Sequence, residues 1–88
     1  MIKIRLARHG SKKKPFYQII VTDIRSARNG KFIERLGFFN PFEKNENKKV
    51  KFINERINYW IKNGAKKSNR VKNLLKKYNK KKYYNEDE

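Results

Sequence analysis

The 88-residue sequence has no cysteine, one histidine (His9), two prolines and only eight acidic residues. Without cysteine there is no disulfide and no thiol nucleophile, and a single histidine leaves no zinc or soft-metal centre to expect. Most hydrolytic chemistries lose their usual side chains with these absences. Long apolar runs are also missing: the longest, Ile19-Ile20-Val21, falls far short of the about 20 residues that a membrane-spanning helix needs. Ile2, Ile4 and Leu6 alternate with Lys3 and Arg5 from the start, which is strand patterning rather than a signal or transit peptide. The expectation is a protein that works in the compartment where it is made.

What is abundant is positive charge. Lysine and arginine number 25, giving a net charge of +17 and a pI near 10.3. Charged residues make up 38% of the chain, against roughly 25% in an ordinary globular domain. Such a field is hard to sustain without a polyanionic partner, and a chain of this length supports one small core. Lysines are spread throughout, so the arginines are the better markers. Five of the seven (Arg5, Arg8, Arg25, Arg28 and Arg35) lie in the first 40 residues, and their donor forks match phosphate and guanine edges.

Residues 2–8 read as a half-buried strand with one basic face. Gly10, Ser11 and Pro15 then break the pattern and leave Lys12, Lys13 and Lys14 in a loop. Residues 16–23, dense in aromatic and β-branched side chains, predict a central strand. Asn29-Gly30 predicts a tight basic turn before a third strand over 32–39, whose alternation fails near Gly37 and suggests a bulge there. Residues 50–52 could add a short edge strand after a polar connection. Asn54 can cap a helix over 54–63 that aligns Ile57, Trp60 and Ile61, with Gly64 closing it. Ser68 caps a second helix over 68–77 that carries Val71, Leu74, Leu75 and Tyr78 on one stripe. The predicted fold is a small α+β single domain over residues 1–78, a mixed or antiparallel sheet of three to five strands packed by two helices. A flexible charged tail over 79–88 is expected to follow.

Two loops, 8–14 and 25–31, each begin with arginine and continue into lysine or glycine. Hairpin-like pairing could bring both to one sheet end as a single basic rim, where Gly10 and Gly30 would let phosphates approach the backbone. The candidate RNA-binding residues are Lys3, Arg5, Arg8, His9, Gly10, Ser11, Lys12, Lys13, Lys14 and Tyr17, with Arg25, Arg28, Asn29, Gly30, Lys31 and Arg35. Tyr17 and Phe39 are the aromatic candidates for base contact, whereas Phe16 and Phe38 suit the core. Two other readings stand beside this one. Helices 54–63 and 68–77 could form a helix-turn-helix that reads DNA through Asn69, Arg70, Lys72 and Asn73. Asp23 and Glu34 could hold Mg²⁺ for phosphodiester cleavage, although each could equally pair with an arginine.

The stretch KIRLARHGSKKKPFYQIIVTDIRSARNGKFIERLGFFNP, residues 3–41, resembles the bacterial-type small-subunit ribosomal protein 16 family. The likeness rests on Lys3-Ile4-Arg5-Leu6, Arg8, Gly10, Pro15-Phe16-Tyr17, Asp23, Arg25, Arg28, Gly30, Ile33-Glu34, Gly37 and Asn40-Pro41. It continues through Trp60, Gly64-Ala65, Ser68 and Val71. The resemblance implies a structural constituent of the small ribosomal subunit that binds its RNA through the two basic loops and supports RNA folding and assembly. It implies no catalysis, no cofactor, no metal, no membrane and no small-molecule substrate. Its implied partners are small-subunit ribosomal RNA and neighbouring small-subunit ribosomal proteins, with the chain a monomer within a cytoplasmic or organelle ribosome. Asn29, Phe38-Phe39 and Asn69 depart from the family's common aspartate, tyrosines and acid at these positions.

Overall fold

The computed structural model describes residues 1–10, 12–25 and 32–78. Of the candidate residues, Ser11, Arg28, Asn29, Gly30 and Lys31 lie outside the described residues, as does the 79–88 tail. Strands β1 (Ile2–Gly10), β2 (Pro15–Asp23) and β3 (Glu34–Phe39) form an antiparallel meander. A short helix, α1 (Glu46–Lys49), leads into β4 (Val50–Phe52), α2 (Asn54–Lys62), the two-residue β5 (Lys66–Lys67) and α3 (Asn69–Tyr78). The five strands make one mixed sheet in the order β4-β3-β2-β1-β5, and only β1 and β5 run parallel.

The boundaries differ from the sequence expectation where backbone pairing outruns the apolar pattern. β1 extends past residue 8 because His9 and Gly10 continue the ladder opposite Phe16 and Pro15. β3 starts at Glu34 rather than 32, although Ile33 already donates its N–H to the Val21 carbonyl. α2 stops at Lys62, and α3 runs from Asn69 to Tyr78, with Ser68 Oγ accepting from the Val71 N–H at 3.3 Å. α1 arises inside the connection read as irregular, where the Asn45 side chain accepts from the Asn47 N–H. β5 consists of two lysines opposite Lys3 and Ile4, so no hydrophobic signal announces it.

Register decides which face each side chain takes. Ile4 stands opposite Val21 and Leu6 opposite Ile19, so the even positions of β1 share a face with the odd positions of β2. That face carries the helices: Ile57 and Ile61 of α2, and Val71 and Leu75 of α3, close over Ile4, Ile19, Val21 and Leu36. The expected irregularity near Gly37 is present. Ile19 pairs with Gly37 and Ile20 with Arg35, so Leu36 is the extra residue of a bulge, and it is fully buried.

Two expectations are corrected by this topology. In a meander, successive connections lie at opposite sheet ends; Gly10 faces Pro15 at one end of β2, and Ile2 faces Asp23 at the other. The 11–14 turn and the anchors of the β2–β3 connection are therefore about 27 Å apart, the length of a nine-residue strand, and form no single rim. The helices, separated by β5, also spend their apolar stripes on the sheet rather than on a helical core of the helix-turn-helix kind. No helix among the described residues is long and apolar enough to cross a membrane.

Candidate nucleic-acid interface

The sheet face turned away from the helices carries Lys3, Arg5, Ala7 and His9 from β1, and Phe16, Gln18, Ile20 and Thr22 from β2. Arg35 and Phe38 of β3 and Lys51 of β4 complete it. Among the described residues no acidic side chain stands on it. Ile20 and Thr22 are nevertheless buried. Arg5 and Arg35 stand directly opposite Ile20 on its two neighbouring strands, where arginine stems can shield an apolar side chain while the charged ends stay wet. Arg5 Nε is buried and has no hydrogen-bond partner among the described residues, leaving a donor unsatisfied beside this face.

The carboxylates flanking the β2–β3 connection belong to the helix-bearing face, and arginines occupy both. Asp23 accepts from Arg25 Nη2 at 2.9 Å, from its Nε at 3.2 Å and from its backbone N–H at 3.0 Å. The Arg25 side-chain hydrogen bonds, followed by its backbone N–H, hold the Asp23 carboxyl well below the usual carboxylate range. Glu34 accepts from Arg56 Nε at 2.7 Å, from Arg56 Nη2 at 2.8 Å and from Trp60 Nε1 at 3.1 Å. This network ties the start of β3 to α2. Two carboxylates held by arginine forks do not suit the Mg²⁺ reading, and no group of three or more metal-capable side chains gathers among the described residues.

The Glu34 latch predicts a pH dependence. Hydrogen bonding from Arg56, then from Trp60, outweighs partial burial and lowers the Glu34 pKa. Its contribution is therefore complete above the ordinary glutamate range and is lost as pH falls through the lowered value. Glu34→Gln should melt below the parent at pH 7, and the gap should close between about pH 5 and pH 3. Thermal melts across that interval check it; a gap independent of pH would remove the charge from the explanation.

The candidate residues divide by location. Lys3, Arg5, His9 and Arg35 lie on the acid-free face, and Lys12, Lys13 and Lys14 are exposed in the turn at one of its ends. Arg8 donates from Nη2 to the Lys12 carbonyl at 2.9 Å and so shapes that turn. Gly10 closes it at φ +85, where a Cβ would come within 2.6 Å of the Lys14 carbonyl oxygen. Arg25 is engaged by Asp23. Tyr17 is on the helix side, stacked on Phe39 at 6.1 Å with Arg70 over its ring at 4.8 Å. The aromatic pair on the acid-free face is instead Phe16 and Phe38, stacked at 5.8 Å. Lys51 and Gln18 also stand on this face and were not among the sequence candidates; the period-two pattern places Gln18 once the parity of β2 is known, whereas Lys51 also needs the β3–β4 register.

A family model described as ribosomal protein S16 matches residues 8–68. The chain is 64% identical over 80 residues to small ribosomal subunit protein bS16 of Buchnera aphidicola subsp. Cinara cedri (strain Cc), covering 91% of each chain. It is 59% identical over 80 residues to the protein of that name from Wigglesworthia glossinidia brevipalpis, covering 91% of this chain and all of the relative. For the Stenotrophomonas maltophilia (strain K279a) protein the identity is 53% over 76 residues, covering 86% of this chain and 88% of the relative.

Proposed function

The chain belongs to the ribosomal protein S16 family, a non-enzymatic constituent of the small ribosomal subunit, and we propose that it holds small-subunit ribosomal RNA across its acid-free sheet face. The observation that carries this reading is charge segregation: Lys3, Arg5, His9, Arg35 and Lys51 share a face on which no carboxylate stands among the described residues. The lysine turn at residues 12–14 extends the surface at one end, and the β2–β3 connection is anchored at the other. Lysine and arginine on this surface neutralise phosphates and release their counterions, while the rigid sheet fixes the spacing at which RNA is gripped. The chain then acts as a brace between RNA segments as the subunit folds, beside neighbouring ribosomal proteins in the cytoplasmic ribosome.

Sedimentation of a lysate at low and moderate salt tests the proposal, with mass spectrometry to follow the chain. It should travel with small subunits in both conditions, and purified chain should bind small-subunit ribosomal RNA with an affinity that falls linearly in log salt. A chain that stays free of the subunits, or binds double-stranded DNA as tightly as ribosomal RNA, would defeat the reading.

A further inference from the structure

Two adjoining hollows run along the place where α3 crosses the β1 edge. Leu6, Leu74 and Phe39 give the first an apolar lining, Tyr78 an aromatic one, and Arg70, Asn73 and Lys77 a polar one. The second shares Leu6 and Arg70 with the first and is bounded by Lys3, Arg5 and the opening residues of α3. The first hollow lies on the opposite side of the sheet from the face described above, whereas the second opens at the β1 edge, where Lys3 and Arg5 of that face also line it.

The first hollow combines aromatic surface with cations already held beside rings. Arg70 lies over Tyr17 at 4.8 Å, Lys77 is 5.3 Å from the Tyr78 ring centre, and Phe39 and Tyr78 are 6.1 Å apart and tilted by 42°. Guanidinium groups and aromatic faces stack on nucleobases, and Asn73 offers a donor and an acceptor for a base edge. The second hollow suits a phosphate. It is lined by three cationic side chains and no carboxylate. α3 has no acid in its first turn, and the buried Arg5 Nε lacks a partner among the described residues. Ser68 takes the Val71 and Lys72 amides, which leaves those of Asn69 and Arg70 without an acceptor within the helix, and the helix dipole favours an anion there. An aromatic-lined hollow adjoining a cationic one fits a nucleotide whose base is unpaired, because paired bases are buried inside their duplex.

We propose that the trough between α3 and the β1 edge binds an unpaired nucleotide of RNA, its base against Phe39 and Tyr78 and its phosphate beside Arg5 and the start of α3. The proposal rests on the ribosomal-RNA reading and carries the RNA contact from the sheet face round the β1 edge to the helix side, with Arg5 common to both. The residues Arg70 and Asn73, which as a helix-turn-helix would have read DNA, here serve a single-stranded segment.

The test uses the full chain with two probes, a short single-stranded RNA carrying a central 2-aminopurine and a blunt RNA duplex. The parent should quench the 2-aminopurine, and Arg70→Gln with Lys77→Gln should weaken single-strand binding at least about tenfold while changing duplex binding about threefold or less. Tyr78→Leu should remove the quenching, with a thermal melt confirming that the domain remains folded. Equal losses on both probes, or unchanged single-strand binding, would overturn the trough while leaving the sheet-face reading intact. A parent chain that binds neither probe nor ribosomal RNA would bring down both.

Discussion

Gly37→Ala should destabilise the domain by at least about 3 kcal/mol and lower its melting temperature by about 15 °C or more. Gly37 has φ +153, and a Cβ built there would collide with the Lys51 carbonyl oxygen and crowd Phe52 Cα at 3.3 Å. These are backbone atoms of the paired strand, so no side-chain rotation relieves the clash. Either β4 separates from β3, losing the pairs of Gly37 with Phe52 and Phe38 with Lys51, or the bulge that buries Leu36 unwinds. Both routes open the core. A domain of this size holds only about 5–10 kcal/mol in total, so the variant should be partly unfolded at physiological temperature. Gly10→Ala is the control: its colliding partner, the Lys14 carbonyl, sits in an exposed turn that can shift, and the loss should be smaller. A Gly37→Ala melt within about 2 °C of the parent would mean that β3 and β4 do not approach so closely.

Gly37 also shows what the sequence made legible. The broken alternation around it was readable, since Phe32, Ile33, Leu36, Phe38 and Phe39 do not keep to one parity along a regular strand. The three long strands, β4 and both amphipathic helices were readable for the same reason: each buries a periodic apolar set. β5 was not, because two lysines pair through backbone alone and their location depends on where α2 ends. For the proposed surface, alternation placed Lys3 and Arg5 on one face, and of the first-half arginines Arg5 and Arg35 stand on it while Arg8 and Arg25 are engaged elsewhere. The two loops were expected together, although an antiparallel meander of strands this long must hold successive turns at opposite ends. The aromatics were exchanged between faces because Phe16-Tyr17 and Phe38-Phe39 are adjacent pairs. Composition cannot say which member of such a pair faces inward; only the parity set by Ile19 and Val21, with the bulge counted, assigns Tyr17 to the helices and Phe16 to the open face.

That assignment gives the second large effect. Arg5→Gln with Arg35→Gln should reduce affinity for small-subunit ribosomal RNA by one to two orders of magnitude near physiological salt, and flatten the log-affinity against log-salt plot by about two. The two residues flank Ile20 on adjacent strands, about 10 Å apart across β2, a separation that lets each meet its own phosphate. Arg35 is exposed, and no ion pair with either arginine occurs among the described residues, so both charges remain available to RNA. A charge-matched control, Lys62→Gln with Lys76→Gln, removes the same net charge from exposed positions on the helices. If the protein were attracted to RNA only by its overall +17, the two double variants would lose affinity alike. If the sheet face makes the contact, only the arginine variant loses the slope, because released counterions are counted at the phosphates actually touched. Restoring charge with lysine at positions 5 and 35 should recover the slope but not the full affinity, since an ammonium cannot reproduce the two-pronged fork of a guanidinium. Equal losses in the two glutamine variants would place the RNA somewhere other than this face.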